Sequence, residues 1–217
     1  MVHVVCIESP PGGGKGFLLK HMSQHGIKLQ TWSVHVVLQD DAIDHVMDYV
    51  KDERRWLLTK ELHFLWMHTR GIQDAIRQGH DLVFVEGSPL SDYMCHFRPC
   101  EKTDLEDKLY REWYEIMRSF WQVHVHVLLT TSPHSHLERI IGNSKKEQSH
   151  TSIFGMYVMT GLYQRTFGGS AEVIVSYPNF EDNEPAMEIM RGEIQDVIYR
   201  LKNNCLHRTR PTVLCPL

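Results

Sequence analysis

Residues 8–20 read ESPPGGGKGFLLK, from Glu8 to Lys20. A strand-length apolar run, VHVVCI, leads into them, and a helical segment starts at about Lys15. A strand, a glycine turn and a helix in that order are the repeating unit of a parallel α/β sheet. Three consecutive glycines, Gly12, Gly13 and Gly14, let the backbone curl so that successive N–H groups converge. The helix adds the positive end of its dipole, and the Lys15 ammonium reaches the same volume. The spacing is that of a phosphate-binding loop, G-x-x-x-x-G-K-[S/T], altered at both ends. Ser9 stands at the first glycine, and Gly16 stands where a hydroxyl normally ligates Mg²⁺. Mg²⁺ keeps several waters, so water can fill that position, and metal binding is expected to weaken rather than vanish. The competing reading is a glycine-rich strand–helix turn that binds nothing.

Working outward, β-branched runs alternate with helical segments. WSVHVVLQ, DLVFVEGS, VHVHVLLTT and EVIVSY read as strands. Helical spacing runs through DDAIDHVMDYV, from Glu53 to about Gln78, through LEDKLYREWYEIMRSFW, to about Phe167, and from Glu184 to Lys202. Ser132-Pro133 opens a further helix. On the long helix the apolar positions are Trp56, Leu57, Phe64, Leu65, Ile72 and Ile76. The alternation predicts one three-layer α/β/α domain over 1–203, with a central parallel sheet of about five strands. A short lid is expected at about 142–150. The tail, 204–217, has no periodicity and is expected to be loosely attached.

The chain has 217 residues, 42% hydrophobic and 23% charged, which suits a well-buried domain and excludes a disordered one. A net charge of -4 argues against nonspecific nucleic-acid binding, so any polyanion site must be a local group of cations. No apolar run approaches a membrane span, and no secretory leader is recognisable at the start. Cys6, Cys95, Cys100, Cys205 and Cys215 are odd in number and form no C-x-x-C pair, which points to free thiols in a reducing, cytoplasmic setting. Among fifteen histidines, His124 and His126 alternate along a strand, and His134 and His136 follow at a helix start. Solvent-facing or hydrogen-bonded structural roles are favoured for them over a metal site, which needs a third ligand.

Five blocks in order carry a more specific resemblance: IESPPGGGKG; RWLLTKE, Arg55 to Glu61; VEGSPLSD, Val85 to Asp92; YREW, Tyr110 to Trp113; and VLLTTSPHSHLERIIGNSKKEQ. Together, over about residues 2 to 168, they resemble the deoxyribonucleoside kinase family. The resemblance implies a phosphate-loop kinase fold. It implies transfer of the ATP γ-phosphate, with Mg²⁺, to the 5′-hydroxyl of a deoxynucleoside. It also implies a homodimer built on helices such as LEDKLYREWYEIM, with no nucleic-acid or membrane partner. On this reading Lys15 and the glycines hold the phosphates with Ser9 and Gly16 flanking, and Arg139 and Lys145 act from the lid. Glu86, at a strand end, serves the hydroxyl or the metal. Tyr49 meets the sugar, and Trp56, Glu61, His68 and Asp92 line the substrate side.

The chain departs from that pattern at several positions. Gln39 falls where the family's general base stands; Asp40, next along, can substitute, with helix capping its equal alternative. Gly87 replaces an arginine. Asn143 and Lys145 stand for lid arginines, and a lysine lacks the planar fork. Glu61 replaces a glutamine, and an ionised carboxylate only accepts hydrogen bonds, which suits guanine and disfavours thymine. Two other readings stay open: a degenerate homologue that binds without turnover, and a nucleoside monophosphate kinase using Arg54, Arg55 and Arg70.

Overall fold

The computed structural model describes residues 2–25, 32–38, 52–143, 152–169, 173–176, 184–203 and 212–214. Asp40, Tyr49 and Lys145 lie outside them, as do Gln39 and most of the expected lid. The chain divides into two compact units, one of residues 1–6 and 33–124, the other of 7–32 and 125–217.

The first unit holds β2 (Val34–Val37), α2 (Glu53–Arg77), β3 (Leu82–Glu86), a short α3 (Pro89–Ser91), a π-helical turn (Asp92–Phe97) and α4 (Asp104–Arg118). The strand order is β2-β3-β1, where β1 is His3–Glu8. β2 and β3 run parallel, with Val34 opposite Leu82 and Val37 opposite Val85. Leu82, Val83, Phe84 and Val85 are all buried, as expected of a strand covered on both faces. Val4, Cys6, Val37, Ile72, Ala75, Val83 and Val85 form one core cluster.

On α2 the buried positions are Leu57, Glu61, Leu65, His68, Thr69, Ile72 and Ala75, one face at helical spacing. Three of the expected apolar positions on α2 lie off that face. Trp56 and Phe64 are half-buried beside this face, under the Arg55 guanidinium and the Lys60 ammonium, and Ile76 is exposed. Asp52 caps the helix by accepting from the Arg55 N–H. α4 opens on a reciprocal box, in which Thr103 and Glu106 each bond the other's backbone N–H.

In the second unit are α1 (Lys15–His25), β4 (Val125–Thr130), α5 (Pro133–Asn143), α6 (Ile153–Phe167), β5 (Val173–Ser176), α7 (Glu184–Lys202) and β6 (Thr212–Leu214). The order is β1-β4-β5-β6, and the β4–β5 and β5–β6 pairs are parallel. α1 packs on α7, α5 on α6, and α6 on β4. The described strands thus number six, not about five. The addition is β6, Thr212 to Leu214, from the tail expected to be loose. Three residues are too few to show a period, so pairing with β5 could not be read from the pattern. The architecture is α/β with parallel strands and helices between them, compatible with three α/β/α layers.

Candidate functional site

The turn after β1 is built by its glycines. Gly12 and Gly14 adopt φ of +73° and +84°, a region costly for residues with a Cβ. A Cβ on Gly12 would meet the His136 carbonyl oxygen at 2.5 Å, and one on Gly13 would run into the buried Ser9 side chain. The Ser9 hydroxyl donates to the Pro10 carbonyl at 2.9 Å, and the Gly13 N–H returns to the same carbonyl at 3.1 Å. The Leu18 N–H is the first of α1 to find an intrahelical partner, the Gly14 carbonyl. The N–H groups of the preceding first turn have no such acceptor within the helix.

Cations collect on this turn. Lys15 Nζ donates to the Ser9 carbonyl at 2.8 Å, and Arg139 Nη1 donates to the Gly12 carbonyl at 3.2 Å. His136, one turn before Arg139 on α5, is wholly buried. Burial, then the Arg139 charge, then the Lys15 charge push its imidazole down to about 4. Burial also lowers the Arg139 guanidinium. Positive groups that disfavour one another's charge favour an anion among them.

A second polar group lies in the first unit, on α2 and the π-helical turn. Glu61, His68 and Asp92 are all buried. Lys60 Nζ is 2.7 Å from Glu61 Oε1. His68 Nδ1 is 3.1 Å from Asp92 Oδ2, and its Nε2 is 3.0 Å from the Glu86 carbonyl. A carbonyl only accepts, so Nε2 carries a proton. Burial outweighs the Lys60 charge and pushes Glu61 up to about 7, with Asp92 adding to the rise. The Tyr110 ring, on α4, is sealed under Phe97 at 4.4 Å and Tyr93 at 5.5 Å. Burial, Asp92 and Glu61 raise its phenol well above the usual value.

No protein-family model matches the sequence, and no curated protein matches it.

The residues expected at one site therefore fall into two groups. Ser9, Gly12, Gly13, Gly14, Lys15 and Arg139 meet in the second unit, and Gly16 follows in the first turn of α1. Glu61, His68 and Asp92 meet in the first. Glu86 ends β3 and enters through its backbone, whereas Trp56 sits half-buried under Arg55. Gly87, in the place of the expected arginine, has φ +75°, so a glycine is what the turn after β3 requires. Three of the four histidines singled out in the sequence have partners of their own. His124 Nδ1 accepts the Val4 N–H at 3.1 Å, His126 Nδ1 pairs with buried Glu8 Oε1 at 3.0 Å, and His134 meets the Tyr157 ring edge-on. Cys6, Cys95 and Cys100 are free thiols, and no helix among the described residues is long and apolar enough to cross a membrane.

Sequence reasoning missed His136 and Tyr110 as members of these groups. His136 lies three residues before Arg139, one helical turn, which is a signal that could have been read. Tyr110 carried none, because its neighbour is set by packing between α2 and α4.

Proposed function

We propose that the chain is a nucleoside kinase that transfers the ATP γ-phosphate to the 5′-hydroxyl of a deoxyribonucleoside. One observation carries this reading: the glycine turn of the second unit gathers Lys15, Arg139 and His136 at the start of α1. The donor set suits a polyphosphate, with Gly12, Gly13 and Gly14 offering backbone and Lys15 and Arg139 offering charge. ATP with Mg²⁺ supplies the phosphoryl group and screens its charge. The loop has no hydroxyl at Gly16 to hold the metal, and water can fill that coordination position. The buried group of Glu61, His68 and Asp92 takes the nucleobase. Asp40 or Glu86 orients the 5′-hydroxyl. Such catalysis is mainly positioning and electrostatics, so modest departures in the donor set reduce rather than remove it.

Dimerisation belongs to the same proposal. Leu105, Leu109, Trp113, Ile116 and Phe120 are exposed at helical spacing along and just beyond α4. Beside them, Leu62, Leu65, Trp66, Trp113 and Met117 line a hollow of about 270 Å³. A second copy of the chain is the occupant proposed, and intracellular, reducing surroundings are the location.

The test incubates the full chain with labelled ATP, Mg²⁺ and each deoxynucleoside or its monophosphate, beside Lys15→Ala. Label on a nucleoside, lost in the variant, supports the reading. Label on monophosphates alone moves the assignment to a monophosphate kinase. ATP binding without transfer makes the chain a binding homologue, and no ATP binding ends the proposal.

A further inference from the structure

A metal site at His126 lacked ligands in the sequence, and β1 supplies two. Cys6 and Glu8 are two residues apart on that strand, so both side chains leave the same face of the sheet. β4 lies beside β1 in the sheet and carries His126. One atom each from the Cys6 thiol, the Glu8 carboxylate and the His126 imidazole lie within 4.8 Å of one another. His126 Nδ1 is 3.0 Å from Glu8 Oε1, and the Phe167 ring packs beside the imidazole at 5.1 Å. Glu8 Oε2 is buried and has no hydrogen-bond partner among the described residues. A wholly buried carboxylate needs both oxygens matched, and the imidazole matches one. Cys6 is wholly buried as well. His126, with a side chain 19% exposed, is the member that solvent reaches.

We propose that Cys6, Glu8 and His126 bind a divalent first-row transition ion, with Zn²⁺ the best fit. The donor set decides the class. Thiolate and imidazole suit zinc, whereas Mg²⁺ takes oxygen ligands and keeps its waters. This is therefore a second ion, not the Mg²⁺ of the proposed phosphoryl transfer, and it stands whether or not that transfer occurs. Charge decides the valence. Thiolate and carboxylate together carry two negative charges, so a divalent ion leaves the buried cluster neutral. Binding forms a metal–sulfur bond and breaks the Cys6 S–H bond, whose proton goes to solvent. The hydrogen bond between Glu8 and His126 gives way to two metal bonds, and the imidazole keeps its one proton on the ring nitrogen away from the ion. Tetrahedral zinc holds its ligand atoms about 3.3–3.8 Å apart, so small side-chain rotations close a set spread over at most 4.8 Å. Three protein ligands leave a fourth position for water. Glu8 runs directly into Ser9, so the ion ties β1 to β4 at the entrance to the glycine turn.

The test strips the full chain with a chelator and titrates it with Co²⁺, a coloured stand-in for Zn²⁺, and then with Zn²⁺, under a reductant that carries no thiol. The expected result is one ion bound per chain, with the near-ultraviolet absorption of a cobalt–thiolate bond. One equivalent of Zn²⁺ should bleach it, and a large excess of Mg²⁺ should not. Cys6→Ser should lose that absorption, while Cys95→Ser and Cys100→Ser keep it. Glu8→Gln and His126→Gln should each weaken Zn²⁺ binding more than about 100-fold, beyond the usual cost of removing a group that only orients a ligand. Should Cys6→Ser fail to fold, the wild-type spectrum and His126→Gln decide, because His126 is the partly exposed member. Absence of stoichiometric binding overturns the proposal. So does binding without the thiolate absorption, which is what surface histidines alone would give. Absorption that survives Cys6→Ser, or unchanged affinity in His126→Gln, overturns it equally and leaves Glu8 Oε2 to a buried water.

Discussion

Lowering the pH from 7 to 5 is expected to destabilise the protein through His136. In the native state its ring is wholly buried, and burial, Arg139 and Lys15 hold its pKa at about 4, against 6.5 ordinarily. The native form therefore binds fewer protons than the unfolded chain. The contribution is intact above 6.5 and is lost as pH falls from 6.5 through about 4. A depression of this size amounts to about 3 kcal/mol when fully developed, and to about 2 kcal/mol at pH 5. Urea unfolding at pH 7 and pH 5 measures it, with His136→Gln and His136→Asn as references that cannot ionise. Wild type should lose about 2 kcal/mol more than either variant over that interval. Glu61 and the surface carboxylates titrate in all three proteins and cancel in the comparison. Equal losses in all three would refute the reasoning, because they would mean that His136 ionises as freely when folded as when unfolded. Bound tripolyphosphate should reverse the repulsion from Lys15 and Arg139. Binding at pH 5.5 should then take up a proton, visible as a heat that depends on the buffer's ionisation enthalpy.

Lys15→Ala should abolish ATP binding while the circular dichroism spectrum stays unchanged. Gly13→Ala should do the same with some loss of stability, since its Cβ would run into Ser9 in the loop. Thr103→Ala removes the hydroxyl that accepts the Glu106 N–H at 3.2 Å and should cost about 1 kcal/mol in urea unfolding. Gly161 lies inside α6 with open space where a Cβ would go, so Gly161→Ala should stabilise by about 0.5–1 kcal/mol. In solution, Trp113→Glu should shift a sedimenting dimer to monomer, and a wild type that is already monomeric would end the dimer proposal.

Most of the fold was legible because its signals are local. The run from Glu53 predicts a helix to about Gln78, and α2 ends at Arg77. DLVFVEGS, VHVHVLLTT and EVIVSY each contain the strand expected of them. What local signals could not supply was the face of α2 that turns inward. Burial there is shared by Glu61 and His68, two residues that any apolar-periodicity rule assigns to solvent. The glycine turn was legible for the same local reason, whereas its buried imidazole was not, since His136 comes from 121 residues beyond Lys15 in the chain. The expectation that Glu61 acts as an ionised acceptor came from the residue type alone. Its surroundings, which only the fold assembles, move it toward the protonated form.

The π-helical turn sets a limit on how this chain can vary in length. Asp92 and Phe97 are five residues apart and both are buried, as is Cys95 between them. In an α-helix, residues five apart sit about 140° from each other around the axis, too far for one buried side. The wider turn is what brings a carboxylate and a phenyl ring inward from the same short segment. Tightening the segment into an α-helix at its present length would rotate either Asp92 or Phe97 outward, and only the loss of one residue between them would restore a shared face. Through it, the polar group on α2 and the aromatic stack on Tyr110 are tied to one shared residue count.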